Sequence, residues 1–179
     1  MGVYASLFNY IGFPLSSPPF LLSHTIIGLL FIFQLTGSGS SVFFGKLTER
    51  FSRSALLAFA IILLVAGGLL TLSEHILVLM FGLILFASGF FAGHTVASSW
   101  IGVISPSKIK TYTSSLYLLF YYAGSSVIGW LGGVFLSRFG WNGVIWMICG
   151  LLAVSSCLVL QLNRPLSVFH LQKTTHKTH

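Results

Sequence analysis

The chain has 179 residues, of which 55% are hydrophobic and only 6% are charged, and its mean hydropathy is +0.95. A soluble domain carries about 25% charged residues because its surface faces water, so this composition excludes an ordinary soluble protein. The aromatic content of 15% excludes a disordered chain, and the remaining class is an integral membrane protein.

Uncharged runs between charged or turn-forming residues predict the membrane-spanning helices. A helix that crosses a hydrocarbon core of about 30 Å needs about 20 mainly apolar residues. The six predicted helices, in chain order, cover residues 2–14, 21–44, 54–73, 76–104, 113–136 and 144–162. The first is short, because the run before Pro14 reaches only about 20 Å, and it looks cut at its start. We therefore expect an all-α polytopic membrane protein, with one bundle in 1–163 and a polar tail in 164–179.

The basic residues predict the orientation of the helices. Lys and Arg in short loops remain on the cytoplasmic side of the membrane. If the 45–53 loop is cytoplasmic, only Arg138 of the nine basic residues lies outside; the others are Lys46, Arg50, Arg53, Lys108, Lys110, Arg164, Lys173 and Lys177. This bias predicts a cytoplasmic C-terminus. The net charge of +7 is scattered between apolar runs, so it does not predict a nucleic-acid partner.

Small residues at four-residue spacing predict where the helices pack. Lipid-immersed helices gain no net hydrophobic attraction, so their contacts depend on small side chains that let backbones approach. Such rows are Gly37, Ser41 and Gly45, then Gly89, Gly93 and Ala97, and then Tyr117, Tyr121, Ser125, Gly129 and Gly133. We interpret these rows first as packing faces.

The loop between the second and third predicted helices carries the sharpest local motif, Gly-Lys-Leu-Thr-Glu-Arg-Phe-Ser-Arg at 45–53. It resembles the cytoplasmic loop signature of the major facilitator superfamily: Gly45, Leu47, Arg50, Phe51 and Arg53 match. Glu49 stands where aspartate is usual, and Ser52 where a second glycine is usual. The resemblance implies that Glu49 and an arginine pair across a helix end and latch one conformation. The alternative is a basic cytoplasmic loop with one incidental acid.

Further segments resemble bacterial inner-membrane facilitators of the drug- and sugar-efflux, proton-antiport type. These segments are 8–12, 89–100, 114–117, 121–126 and 140–143. The resemblance maps the chain onto helices seven to twelve of a twelve-helix transporter, which makes it a C-terminal half. It implies a location in the bacterial inner membrane and a small-molecule substrate of unspecified identity. The implied partners are the lipid bilayer and an N-terminal half or a second copy of the chain.

Polar side chains inside the predicted spans are the candidate substrate-binding residues, because such groups are costly in a bilayer unless partnered. No Asp, Glu, Lys or Arg lies within a span, which leaves His94 near mid-depth, with Ser98 one turn later on the same face. His94 either bonds to a neighbouring helix and supports packing or lines a transport cavity. The resemblance adds the other candidates, because helices seven, ten and eleven line the central cavity: Asn9, Tyr10, Tyr117 and Tyr121.

Two hypotheses for function follow. The first is a truncated transporter half that needs a second half or copy for activity, and the second is a membrane protein with a structural or interaction role, a decayed remnant that does not transport. An enzyme is not expected, because the chain lacks aspartate and places Glu49 and Glu74 at membrane edges. The sequence predicts no catalytic residue, no cofactor and no metal site.

Overall fold

The computed structural model describes residues 1–30, 32, 35–106 and 108–175. Regular structure in these residues is helical, and no strand occurs among them. Their helices are α1 (Gly2–Tyr10), α2 (Gly12–Ser16), α3 (His24–Leu30), α4 (Leu35–Leu47), α5 (Arg53–Leu70), α6 (Ile76–Ile104) and α7 (Lys110–Thr175). The expected all-α class is therefore confirmed for the part of the chain that is described.

The first predicted helix forms as two short helices, α1 and α2, joined at Ile11. The prediction that it ends at Pro14 was wrong, because α2 continues to Ser16. Pro14 lies in the first turn of α2, where the N–H that proline lacks has no helical partner in any case. The hydroxyls of Ser16 and Ser17 then donate to the Phe13 carbonyl at 3.1 and 2.9 Å and close the helix end.

The second predicted helix, 21–44, also differs from the observed structure. It corresponds to α3 and α4, and residues 31, 33 and 34 between them lie outside the described part of the chain. Leu21 has a positive φ of 50° and precedes α3 rather than starting it. Because α4 runs to Leu47, the first residues of the loop motif belong to a helix end.

The central helices follow the predictions closely. Helix α6 has the predicted bounds, and α5 begins after Ser52, whose hydroxyl accepts a hydrogen bond from the Ala55 N–H at 3.3 Å. Serine and threonine at this position satisfy one of the unpaired N–H groups of a first helical turn. Helix α5 ends at Leu70, short of the predicted end at 73.

The last two predicted helices form the two arms of α7. Gly140, with φ 66° and ψ −162°, interrupts its 66 helical residues and separates a first arm, 110–139, from a second arm, 141–175. This conformation is almost restricted to glycine, so Gly140 is the single non-helical residue in the interval 137–143 between the two predicted helices. The second arm extends past the predicted end at 162, and the expected tail is helical as far as Thr175.

Three described stretches are long and apolar enough to cross a membrane: Arg53–Leu70, Ile76–Val103 and Lys110–Gln161. The last of these is divided by Gly140. Helices α1 to α4 contain at most 13 residues each, which is fewer than a bilayer crossing requires. The described residues therefore do not confirm the count of six spans.

Close approach of helices occurs at glycines of the predicted rows. A Cβ added to Gly89 on α6 would lie 2.9 Å from the Ala60 carbonyl oxygen on α5. A Cβ on Gly133 of the first arm would lie 2.6 Å from the Tyr10 hydroxyl oxygen. These contacts confirm that the two rows are packing faces, and they hold α5 against α6 and α1 against α7.

Candidate functional site

A hydrogen bond inside the helical bundle joins two of the candidate residues. Nδ1 of His94 on α6 lies 2.9 Å from the hydroxyl oxygen of Tyr117 on the first arm of α7. The Tyr121 ring centroid lies 4.9 Å from that of the His94 ring. Tyr117 and Tyr121 share one face of the arm because they are four residues apart. The structure thus brings together three of the six candidates.

Two further aromatic residues extend this group. Phe90 precedes His94 by one turn of α6, and the two rings are nearly parallel, with centroids 6.2 Å apart and an interplanar angle of 11°. Phe90 also stacks on Tyr4 of α1, with centroids 4.2 Å apart. Tyr4, Phe90, His94, Tyr117 and Tyr121 are called the aromatic cluster below. Its members come from α1, α6 and the first arm of α7.

The aromatic cluster borders a cavity of about 460 Å³. Phe90, His94, Tyr117 and Tyr121 contribute to its wall, and the rest is mainly aliphatic. The aliphatic side includes Leu57, Ala60 and Leu64 of α5 and Leu152 and Val159 of the second arm. Within the described residues, no Asp, Glu, Lys or Arg lines this cavity. It is therefore a mainly apolar space, with the polar atoms of His94, Tyr117 and Tyr121 and the amino group of Met1 at its wall.

The polar atoms of this wall keep some hydrogen-bonding capacity free. A neutral histidine and a tyrosine each carry one polar hydrogen, and their mutual bond uses one of the two. Either the Nε2–H of His94 or the O–H of Tyr117 therefore remains available, whichever tautomer is present. The Tyr121 hydroxyl has no hydrogen-bond partner among the described residues. The wall thus offers two donors, whereas the Ser155 hydroxyl is already bonded to the Leu151 carbonyl.

The other candidates lie away from this cavity. Ser98 is exposed, its hydroxyl donates to the Thr95 carbonyl at 3.1 Å, and Ala97 rather than Ser98 lies in the wall. Asn9 is exposed beside Gly129, and Tyr10 packs over the glycines of the first arm. A substrate-binding role for these three residues remains a prediction without support from this geometry.

Sequence reasoning did not single out Tyr4 or Phe90 as members of the site. Phe90 carries a signal in hindsight, because it lies one helical turn before His94 and so shares its face. Tyr4 has no such signal in the sequence, because its position beside Phe90 depends on how α1 packs against α6. A lone tyrosine in a short apolar helix has no pattern that predicts such a partner.

The loop motif spans the end of α4 and the start of α5. The Thr48 hydroxyl donates to the Gly45 carbonyl at 2.6 Å, and the Arg50 N–H donates to the Leu47 carbonyl at 3.0 Å, so the backbone turns tightly. Glu49 and Arg50 are both exposed, and Glu49 forms no ion pair with any described residue.

Arg53 occupies the first position of α5, and its Nε is buried without a hydrogen-bond partner in the described part of the chain. The pairing of Glu49 with an arginine is absent from this conformation within the described residues, and the latch remains a prediction.

Several helices that are long and apolar enough to cross a bilayer, packed around an apolar interior, define a polytopic membrane protein. The chain belongs to the Major Facilitator Superfamily, whose family profile matches residues 1–177. The resemblance seen in its motifs is therefore confirmed.

Curated relatives support the same family. The chain is 41% identical over 168 residues to the uncharacterized MFS-type transporter YybF of Bacillus subtilis, covering 94% of this chain and 41% of that protein. It is 42% identical over 166 residues to the inner membrane transport protein YnfM of Escherichia coli, covering 93% of this chain and 40% of YnfM. The chain is 42% identical over 165 residues to an uncharacterized transporter of Buchnera aphidicola subsp. Schizaphis graminum, covering 92% of this chain and 40% of that protein. No solved structure matches the chain significantly.

The chain thus spans about 40% of the length of these relatives. The relatives are named as transporters, which are not in general enzymes, and nothing in the comparisons favours the non-transporting alternative.

Proposed function

We propose that the chain forms one half of a secondary transporter that moves a small molecule across a bacterial inner membrane. Membership of the Major Facilitator Superfamily supports transport, and the name of YnfM supports the inner membrane. The direction that the sequence resemblance favours is efflux coupled to proton entry. In such transporters the substrate site lies near the bilayer midplane, between two repeats that rock against each other.

The pair formed by His94 and Tyr117, together with the unpartnered Tyr121 hydroxyl, is the observation that carries this proposal. Polar groups are expensive inside a membrane, and those that face a cavity without full partners mark substrate pathways by default. A packing role alone would account for the bond between His94 and Tyr117. It would not account for the free donors that border an open space of about 460 Å³.

One bundle supplies one side of such a site. We propose that a second set of helices, from an N-terminal half or from a second copy of this chain, completes the cavity. The small-residue contacts described above lie within the bundle, between α5 and α6 and between α1 and α7. They hold this side together and leave its outer faces for lipid or for the second half.

A chimera tests this function. The segment of YybF that matches this chain is replaced by the chain itself, and the chimera is reconstituted in liposomes beside intact YybF. We expect the chimera to exchange at least one compound from a panel that YybF moves, and a Ser137→Ala chimera, altered at an exposed hydroxyl outside the cavity wall, to behave like it. A well-folded chimera that moves none of the compounds that YybF moves would contradict the proposal.

The orientation is tested separately. A reporter fused after His179 is expected to lie in the cytoplasm, and a reporter inserted at 74–75 is expected to lie outside, because the basic residues are concentrated on one side. A periplasmic C-terminal reporter would contradict the proposed topology. It would not bear on the transport proposal, which the chimera tests.

A further inference from the structure

We propose that the cavity wall formed by His94, Tyr117 and Tyr121 binds an uncharged aromatic group that carries a hydrogen-bond acceptor, as in an aryl ketone. The proposal names a substrate class for the site described above and so rests on the proposed function for its physiological meaning. Its chemistry is argued from the rings of the wall, its free hydrogen-bond donors and its lack of charged side chains.

The rings of the wall favour a flat aromatic ligand. Phe90 is already stacked against Tyr4 and lies nearly parallel to His94, so it is engaged within the cluster. Tyr121 lies tilted at 43° to His94, and Tyr117 and Tyr121 are 6.0 Å apart at 41°. Aromatic rings prefer offset or edge-to-face neighbours at such separations, and a planar ligand extends this arrangement.

The absence of charged side chains from the wall favours an uncharged ligand. No acidic or basic side chain lines the cavity among the described residues, and burial lowers the pKa of the Met1 amino group in its wall, which favours the neutral amine. The two acids of the chain, Glu49 and Glu74, are exposed near helix ends. An ion transferred into an apolar space without a counter-charge loses its hydration and gains little in return. A cation or a carboxylate therefore fits this wall less well than a neutral group.

The free donors favour an acceptor on the ligand. One hydrogen of the pair formed by His94 and Tyr117 and the Tyr121 O–H remain available. A lipid chain or an apolar helix in the same space would leave both donors unpaired, which carries a desolvation cost. A carbonyl oxygen on an aromatic ligand satisfies them. The volume of about 460 Å³ lies within the range of pockets that hold small molecules.

Equilibrium dialysis of the full chain in lipid nanodiscs tests the proposal, with empty nanodiscs subtracted. The probe is 2-acetylnaphthalene, and the comparison compounds are naphthalene, 2-naphthoate and 2-naphthylmethylammonium. We expect saturable binding of one ketone per chain. The ketone should bind about fivefold or more tightly than each comparison compound after subtraction of lipid partitioning.

A matched pair of variants locates the site. Tyr121→Phe keeps the ring and removes the hydroxyl, so ketone binding should weaken about fivefold while naphthalene binding stays the same. Tyr122→Phe removes a hydroxyl from the exposed neighbouring residue and should leave ketone binding unchanged.

Equal ketone affinity in the two variants would overturn the proposal, and so would tighter binding of the ammonium compound. Absence of saturable ketone binding would also overturn it, and would indicate lipid or an apolar helix as the occupant. If the chain binds the ketone but the chimera does not transport, the result contradicts the proposed function and leaves the proposed ligand class intact.

Discussion

Nδ1 of His94 and the hydroxyl of Tyr117 lie 2.9 Å apart and join α6 to the first arm of α7 across 23 positions of the chain. The bond lies beside a cavity, and the rings of Phe90 and Tyr121 both lie next to the histidine and next to each other. One polar contact therefore both holds two helices together and presents a hydrogen-bonding edge to the open space.

Replacing His94 by alanine separates these two roles. We expect His94→Ala to weaken 2-acetylnaphthalene binding about five- to tenfold, because the wall loses a ring and the pair that supplies one donor. The measurement is dialysis in nanodiscs, with size-exclusion elution as the check on assembly. A variant that assembles normally and binds the ketone as the unmodified chain does would assign His94 to packing.

The contact between α5 and α6 predicts a strong effect of a small substitution. A Cβ at position 89 would approach the Ala60 carbonyl oxygen to 2.9 Å and the Leu63 Cβ to 2.9 Å, so Gly89→Ala should destabilise the chain by about 1–3 kcal/mol. Thermal unfolding in detergent measures it. Gly150→Ala is the matched control, because an added Cβ there meets nothing within 4 Å and alanine favours the helix. Equal stability of the two variants would show that α5 and α6 are not packed this closely.

The division of α7 depends on one residue. Gly140 has φ 66° and ψ −162°, a conformation that costs other residues about 1–3 kcal/mol, so Gly140→Ala should lower the unfolding temperature. Gly124→Ala changes a helical glycine of the same element with open space around it and should not lower it. An unchanged unfolding temperature for Gly140→Ala would mean that the two arms do not meet in this conformation.

A hydrogen bond also ties the end of α5 to the second arm. The Trp141 Nε1–H donates to the Thr71 carbonyl oxygen at 3.2 Å. We expect Trp141→Phe to lower the free energy of unfolding by about 1 kcal/mol, because a carbonyl loses its donor. Trp146, with 65% of its surface exposed, gives the control Trp146→Phe. If the control lost as much stability, the Trp141 bond would not be the cause.

The sequence alone predicts the membrane class, the family and the bounds of α6, because these follow from hydropathy and a local motif. It also predicts that His94, Tyr117 and Tyr121 are polar or aromatic residues within helices, and helical spacing puts the two tyrosines on one face. It does not predict that His94 meets Tyr117, since that contact depends on how two distant helices pack.

Two other differences have local causes. Proline was expected to end the first helix, but its effect depends on its place in a helical turn, and Pro14 lies where no N–H is needed. The run 21–44 is uncharged throughout, and hydropathy does not predict that Leu21 takes a positive φ and that α3 begins only at His24.

The most direct test of the central claim compares the chain alone with a completed assembly in liposomes. The chain is reconstituted as a monodisperse monomer, and in parallel with the portion of YybF that it does not match, and exchange of a labelled compound that YybF moves is followed. If the chain is one side of a transport site, exchange occurs in the completed assembly, falls in its His94→Ala form and is absent from the monomer. Exchange by the monomer at the rate of the assembly would contradict the account.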